Sequence, residues 1–338
     1  MIRVLLVDDS PLTLHVLQRL LARSPDIAVV GTAADGRKAL DLLPTLDPDV
    51  ICTDMHMPEM NGLEMTHAIM ATTPRPILVV SVSVEPNSPN VFRALEAGAV
   101  DVFLKPRDIL GMDQDKIARE LASKIRIVAG VHVFRKRDAV AAARPPTPIV
   151  TRQGPMQMVV IGASTGGPQA IRSILSGLPN TFPVPVVCVQ HIGEDFMTSL
   201  VTWLAETSPL PVRKAPEGEV PQGGVVYFAP ENAHLEFDNL GRFALSDAPP
   251  CSGHRPSATV TMRSAAQRFG ACAVGVLLTG MGRDGADGMA EIARAGGITI
   301  AQDEASSVVY GMPKEAVALG AVQHVLAIEQ IAPALASL

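Results

Sequence analysis

The chain has 338 residues, 47% of them hydrophobic, and a net charge of −6. That length holds roughly two domains, each able to bury a core of its own. The mildly acidic balance, with no Lys/Arg stripe, argues against a nucleic-acid partner, and no apolar run approaches the length of a membrane span.

Apolar runs at 4–7, 28–30, 50–53, 77–80 and 100–103 read as strands, with amphipathic stretches between them. In the first such stretch Leu12, Val16, Leu17, Leu20 and Leu21 fall on one face, the spacing of a helix packed on a sheet. Further helices are expected at 36–43, 62–70 and 90–97, and a last one at about 116–128. Five nearly all-apolar strands alternating with helices predict a doubly wound parallel α/β sheet, whose chemistry gathers at the carboxyl ends of the strands. Asp8 and Asp9 end the first strand, Asp54 the third, Ser81 the fourth and Lys105 the fifth. Converging carboxylates repel one another unless a cation sits among them, and Mg²⁺ is the natural hard occupant. Ser10-Pro11 also reads as a helix N-cap and first turn, which would account for either aspartate alone but not for the whole group.

These residues carry a resemblance. Val7-Asp8-Asp9-Ser10, Asp54 with Met57-Pro58 and Gly62 behind it, Ser81, and Lys105-Pro106 make residues 1 to about 125 similar to the receiver domain of two-component response regulators. The resemblance implies that Asp54 takes a phosphoryl group from a histidine kinase. It also implies that Asp9, Asp54 and the main-chain carbonyl of His56 hold Mg²⁺ with help from Asp8, and that Ser81 and Lys105 contact the phosphoryl oxygens. Val102 stands where receivers commonly carry a switch aromatic, and Val82 where a small residue normally follows the switch hydroxyl.

Beyond 129 the periodicity fades. Arg135-Lys136-Arg137-Asp138 and prolines at 145, 146, 148 and 155 have the make-up of a semi-rigid linker over 130–155, between domains at 1–129 and 156–338. The second domain again alternates. Strands are expected at 158–162, 184–189, 225–228, 272–279 and 298–301, and helices at 168–176, 195–205, 257–269, 286–295 and 313–319. Tyr227-Phe228, His234 to Phe237 and Phe243 to Leu245 read as a small antiparallel excursion on an otherwise mostly parallel sheet.

The chemistry of this half starts at Gly162-Ala163-Ser164-Thr165-Gly166-Gly167-Pro168, a strand running into a glycine-flanked serine and then a proline-started helix. Such a corner suits an exposed nucleophile. The apolar strand Val186 to Gln190 closes on His191, and Gly275 to Thr279 leads into a glycine-rich corner carrying Asp284. At one edge of a parallel sheet a hydroxyl, an imidazole to take its proton and a carboxylate to steady the imidazolium can converge. His234 and His254, both near turns, compete with His191 as the base. The order Ser, His, Asp differs from that of α/β-hydrolases.

With Ala229-Pro230 and His234, His254-Arg255-Pro256-Ser257, Thr279 to Gly285, Ala301 to Ser306 and Tyr310 to Lys314, these motifs make residues 156–338 resemble the CheB-type methylesterase domain of chemotaxis response regulators. The resemblance implies hydrolysis of glutamate γ-methyl esters, and deamidation of glutamines, on methyl-accepting chemoreceptors. Ser164 would be the nucleophile, His191 the base and Asp284 its partner, with oxyanion donors at Thr165 and around Met281 and no cofactor for the esterase step. Thr259, where the family usually has aspartate, and Met197 depart from the pattern and are expected to alter substrate contacts. A phosphorylation-gated esterase follows, its receiver covering the Ser164 cleft until Asp54 is charged; a receptor-binding adaptor without catalysis is the alternative. Four scattered cysteines without metal-type spacing and the absence of a secretory leader lead to the expectation of a cytoplasmic protein that meets membranes only through its receptors.

Overall fold

The computed structural model describes residues 1–81, 90–105, 114–131, 133, 155–193 and 196–338. It divides into two compact units, Met1–Ala141 and Ala142–Leu338. Val82, Pro106 and nearly all of the expected linker lie outside the described residues.

In the first unit the apolar runs become β1 (Ile2–Val7), β2 (Ile27–Ala33), β3 (Val50–Thr53), β4 (Ile77–Ser81) and β5 (Asp101–Leu104). They form one parallel sheet in the order β2-β1-β3-β4-β5. Helices α1 (Pro11–Leu21), α2 (Gly36–Leu46), α3 (Gly62–Thr72), α4 (Asn90–Ala97) and α5 (Gln114–Ala129) connect the strands. Strands β3 and β4 are buried throughout, so their side chains read as unbroken apolar runs instead of alternating. The Ser10 side chain accepts from the Thr13 N–H and Pro11 opens α1. Val102 is buried in β5.

The second unit holds β6 (Met158–Ala163), β7 (Val186–Gln190), β8 (Val212–Lys214), β9 (Val226–Phe228), β12 (Ala273–Leu277), β13 (Ile298–Gln302) and β14 (His324–Leu326) in one seven-stranded sheet. Its order is β14-β13-β12-β6-β7-β9-β8, and every pairing is parallel. A separate antiparallel pair is made by β10 (His234–Phe237) and β11 (Phe243–Ser246). Tyr227 and Phe228 are therefore not part of the antiparallel excursion: as β9 they pair with β7 and β8, and both are fully buried. The helices are α6 (Gly167–Gly177), α7 (Met197–Ala205), α8 (Ala258–Phe269), α9 (Ala286–Arg294), α10 (Met312–Ala318) and α11 (Ile328–Ala336).

Val160, Leu277, Met262 of α8, Met289 of α9 and Met312 of α10 share one buried apolar cluster, while Trp203 of α7 is buried with the Arg172 guanidinium 5.0 Å from its ring centre. Fully burying one such aliphatic side chain contributes about 1.5–3 kcal/mol. Cys52 and Cys188 are free thiols buried in β3 and β7, and burial pushes the Cys52 thiol up to about 12. Both act as small core residues. No helix among the described residues is long and apolar enough to cross a membrane.

Candidate functional site

Strand β6 is flanked by β7 on one side and β12 on the other. The chain leaves β6 toward β7 and later returns across it to β12, so the direction of strand addition reverses here. Such a reversal opens a crevice at the carboxyl edge of a parallel sheet. Ser164 follows β6, His191 follows β7, and Asp284 lies in the loop after β12.

Ser164 sits in a tight turn. Its N–H donates to the Thr279 carbonyl at 3.0 Å, and its own carbonyl accepts from Gly167 N–H at 2.8 Å and Gln190 Nε2 at 2.9 Å. Gly166, at φ 76, caps α6 in the left-handed region, and a Cβ there would come within 2.6 Å of Val308. Gly162 serves a different end: it belongs to β6, where a Cβ would stand 2.7 Å from that of Ala258 and keep α8 off the sheet. Only the second glycine shapes the corner.

The register of β6 and β7 sets Ala163 opposite Gln190, and Ser164 and His191 are the next residue on each strand. The His191 N–H donates to the Ala163 carbonyl at 3.0 Å. Its Nε2 is 2.8 Å from Asp284 Oδ2, and its Nδ1 is buried with no hydrogen-bond partner among the described residues. Imidazole and carboxylate are thus joined. No hydrogen bond links Ser164 Oγ to His191 among the described residues, a looseness common in sites without substrate.

Asp284 is buried against the N-terminus of α8. Oδ1 accepts from Ser257 Oγ–H at 2.6 Å and Thr259 N–H at 3.1 Å, and Oδ2 from Ala258 N–H at 2.7 Å. Burial alone would raise its pKa, but the facing His191, then Ser257 and the Thr259 N–H, outweigh it and hold the carboxyl far below the usual range. Ser257 also caps α8, accepting from Val260 N–H. Its hold on Asp284, and the stacking of the His254 ring on that of His191, are contacts the linear sequence did not reveal; the His254-Arg255-Pro256-Ser257 motif was the signal.

The other expected residues fall as follows. Thr165 is buried, with its carbonyl accepting from Thr279 Oγ–H at 3.0 Å; Thr279 in turn accepts from Val309 N–H at 2.9 Å and is a brace between loops. Met281 is exposed at the tip of its corner, and its N–H makes no hydrogen bond among the described residues. His234 is fully buried on β10 and donates through Nε2 to the Pro249 carbonyl, which removes it as a rival base. Thr259 and Met197 are both buried: the Thr259 hydroxyl accepts from Gly285 N–H at 2.7 Å, and Met197 is the first residue of α7.

In the first unit Asp8, Asp9 and Asp54 each present a carboxylate oxygen within 4.8 Å of the others. Lys105 Nζ lies 2.6 Å from Asp8 Oδ2 and 2.8 Å from Asp54 Oδ2. Burial raises the Asp8 pKa, partly offset by Lys105. Three clustered carboxylates against one ammonium make an all-oxygen set that suits a hard divalent cation such as Mg²⁺. The His56 side chain is exposed and its ring takes no part in this group. Ser81 is buried at the end of β4, opposite Leu104 and one residue from Lys105.

The model of the response regulator receiver domain matches residues 4–115, and that of the CheB methylesterase matches residues 159–335. A protein-glutamate methylesterase/protein-glutamine glutaminase of Nitrosospira multiformis is 44% identical over 344 residues, covering 100% of this chain and 97% of that protein. Another, of Anaeromyxobacter dehalogenans, is 44% identical over 337 residues with the same coverage. The crystal structure of the Thermotoga maritima CheB methylesterase catalytic domain, 38% identical, superposes with a TM-score of 0.53 over 54% of this chain and 98% of its own.

Proposed function

The chain belongs to the CheB methylesterase family, with a response regulator receiver domain ahead of the catalytic one, and from that premise we propose how its residues work. It is a protein-glutamate methylesterase and protein-glutamine glutaminase that acts on methyl-accepting chemoreceptors. Ser164 Oγ attacks the γ-ester carbonyl while His191 takes its proton. The tetrahedral intermediate collapses, His191 returns the proton to the departing methoxide, and methanol leaves an acyl-serine. Water, deprotonated by the same imidazole, then releases the glutamate carboxylate. With a glutamine substrate the leaving group is ammonia.

The observation that carries this reading is the 2.8 Å bond from His191 Nε2 to Asp284 at the strand end beside Ser164. That bond commits Nε2 to the carboxylate and leaves Nδ1 as the basic nitrogen. The N–H groups of Thr165 and Met281 are the donors for the oxyanion, each contributing about 3–4 kcal/mol to the transition state by comparison with other oxyanion holes.

Phosphoryl transfer from a histidine kinase to Asp54 controls this activity. Asp8, Asp9 and Asp54, with the His56 carbonyl, would hold Mg²⁺, which when bound offsets the negative charge gathered there. Lys105 and Ser81 meet the phosphoryl oxygens. Mass spectrometry of methylated receptor fragments incubated with the purified protein tests the reading. Loss of about 14 mass units per site, a methyl group exchanged for hydrogen, is expected with the wild type, and none with Ser164→Ala. Demethylation that survives Ser164→Ala would remove the serine from the chemistry.

A further inference from the structure

Among the described residues the His191 ring is hydrogen-bonded at one nitrogen, by Asp284. A single hydrogen bond leaves the ring free to turn about that bond, and the terminal torsion of a histidine is broad. Yet the nitrogen that must exchange a proton with Ser164 is the other one. What limits the turning is a second imidazole: the His254 ring lies parallel to that of His191, with centres 3.7 Å apart and planes 5° from coincidence.

His254 is itself firmly mounted. Its N–H donates to the Cys251 carbonyl and its carbonyl accepts from Cys251 N–H, both at 3.0 Å, closing a turn with Ser252 at φ 52 and Gly253 at φ 82. Arg255 Nη1 donates to the carbonyls of Asp247 at 2.9 Å and Ala248 at 3.3 Å, and His234 Nε2 donates to that of Pro249. Three residues further on, Ser257 begins the cradle around Asp284. One continuous segment therefore touches both the face of the imidazole and the carboxylate that holds its edge.

We infer that His254 is a positioning residue for the proposed esterase: its flat face fixes the plane of His191 so that Nδ1 keeps its aim through both proton transfers. The inference rests on the serine-esterase reading. Small errors of aim are costly in proton transfer, and a stacked ring is worth enough to change a rate by about tenfold.

The test measures methanol release from a peptide carrying a glutamate γ-methyl ester, using the full chain with acetyl phosphate present. His254→Ala should lower kcat by about tenfold or more while KM stays within about twofold. His254→Phe restores a flat face without a titrating nitrogen and should return kcat to within about threefold of wild type. If His254→Ala does not fold, His254→Leu, which fills volume without a flat face, takes its place with the same expectation. A kcat within about twofold of wild type for the alanine or leucine variant, a loss confined to KM, or a phenylalanine variant as impaired as the alanine one would overturn the role of His254 and leave the esterase standing. A wild type that neither releases methanol nor takes a fluorophosphonate label at Ser164 would overturn both.

Discussion

Four donors converge on Asp284: His191 Nε2, Ser257 Oγ and the N–H groups of Ala258 and Thr259. The α8 N-terminus supplies three of them, so the carboxylate is held ionised by a helix end and is not simply tolerated in the core. Asp284→Asn keeps the shape, removes the charge and offers an amide where two acceptor oxygens stood. It should cost about 2–3 kcal/mol of stability, from lost charge-assisted bonds, and lower kcat about a thousandfold or more. Because the folded-state pKa of Asp284 is depressed, the folded protein binds fewer protons than the unfolded chain in acid. The contribution is complete above about pH 4 and is lost as pH falls below it. Urea unfolding of both proteins between pH 7 and pH 3 reads this directly, since their difference should shrink toward acid; a constant difference would mean that Asp284 is not held ionised. Ser164, His191 and Asp284 were legible as residues because each ends or follows a strand. Ser257 and His254 were visible in one motif, but their roles were not, since those depend on a segment that returns to the site from 27 and 63 residues away in sequence.

At the scale of elements, α3 seats its first turn directly on the Asp54 loop. The Gly62 N–H donates to the Met55 carbonyl at 3.1 Å, and a Cβ on Gly62 would collide with the backbone carbonyl of Asp54. Backbone cannot step aside as a flexible side chain can. Gly62→Ala should therefore destabilise the first unit by about 1–3 kcal/mol and displace Asp54 from Lys105. Phosphorylation of Asp54 by acetyl phosphate, followed by mass spectrometry, should slow severalfold; a rate equal to wild type would show that α3 moves away without disturbing the carboxylate. The long apolar strands and periodic helices of both sheets could be read from the sequence because each carries one hydrophobic period along its length. The exceptions have separate causes. Strands β8 and β14 have three residues each and lie at the two edges of the seven-stranded sheet, too short and too exposed to show a pattern. Helix α11 contains Pro333, which breaks the usual helical signal although its buried face, Ile331, Ala332, Ala334 and Leu335, is intact. Strand β9 was assigned to the hairpin because it lies next to β10 in sequence, whereas the sheet places it between β7 and β8.

At the scale of the molecule, the chemistries proposed for the two units differ, and their requirements separate them. The proposed acyl transfer by Ser164, His191 and Asp284 needs a nucleophile, a base to carry its proton and a water to free the acyl group, and no metal charge. The proposed phosphoryl transfer to Asp54 would bring a multiply charged group to a pocket already holding Asp8 and Asp9, with Lys105 as the facing cation, and so would need a divalent ion to offset the charge. Chelation should divide the two activities. With EDTA in excess, acetyl phosphate should no longer raise the rate of ester hydrolysis, and the rate without phosphodonor should stay within about twofold of its value in Mg²⁺. Asp54→Ala should behave in Mg²⁺ as the wild type does in EDTA, since either change removes the phosphorylated state and neither touches the esterase residues. If EDTA suppressed the unstimulated rate as well, the esterase half would need a metal for which its serine, imidazole and carboxylate provide no reason. If Asp54→Ala still responded to acetyl phosphate, the control would lie outside the aspartate cluster.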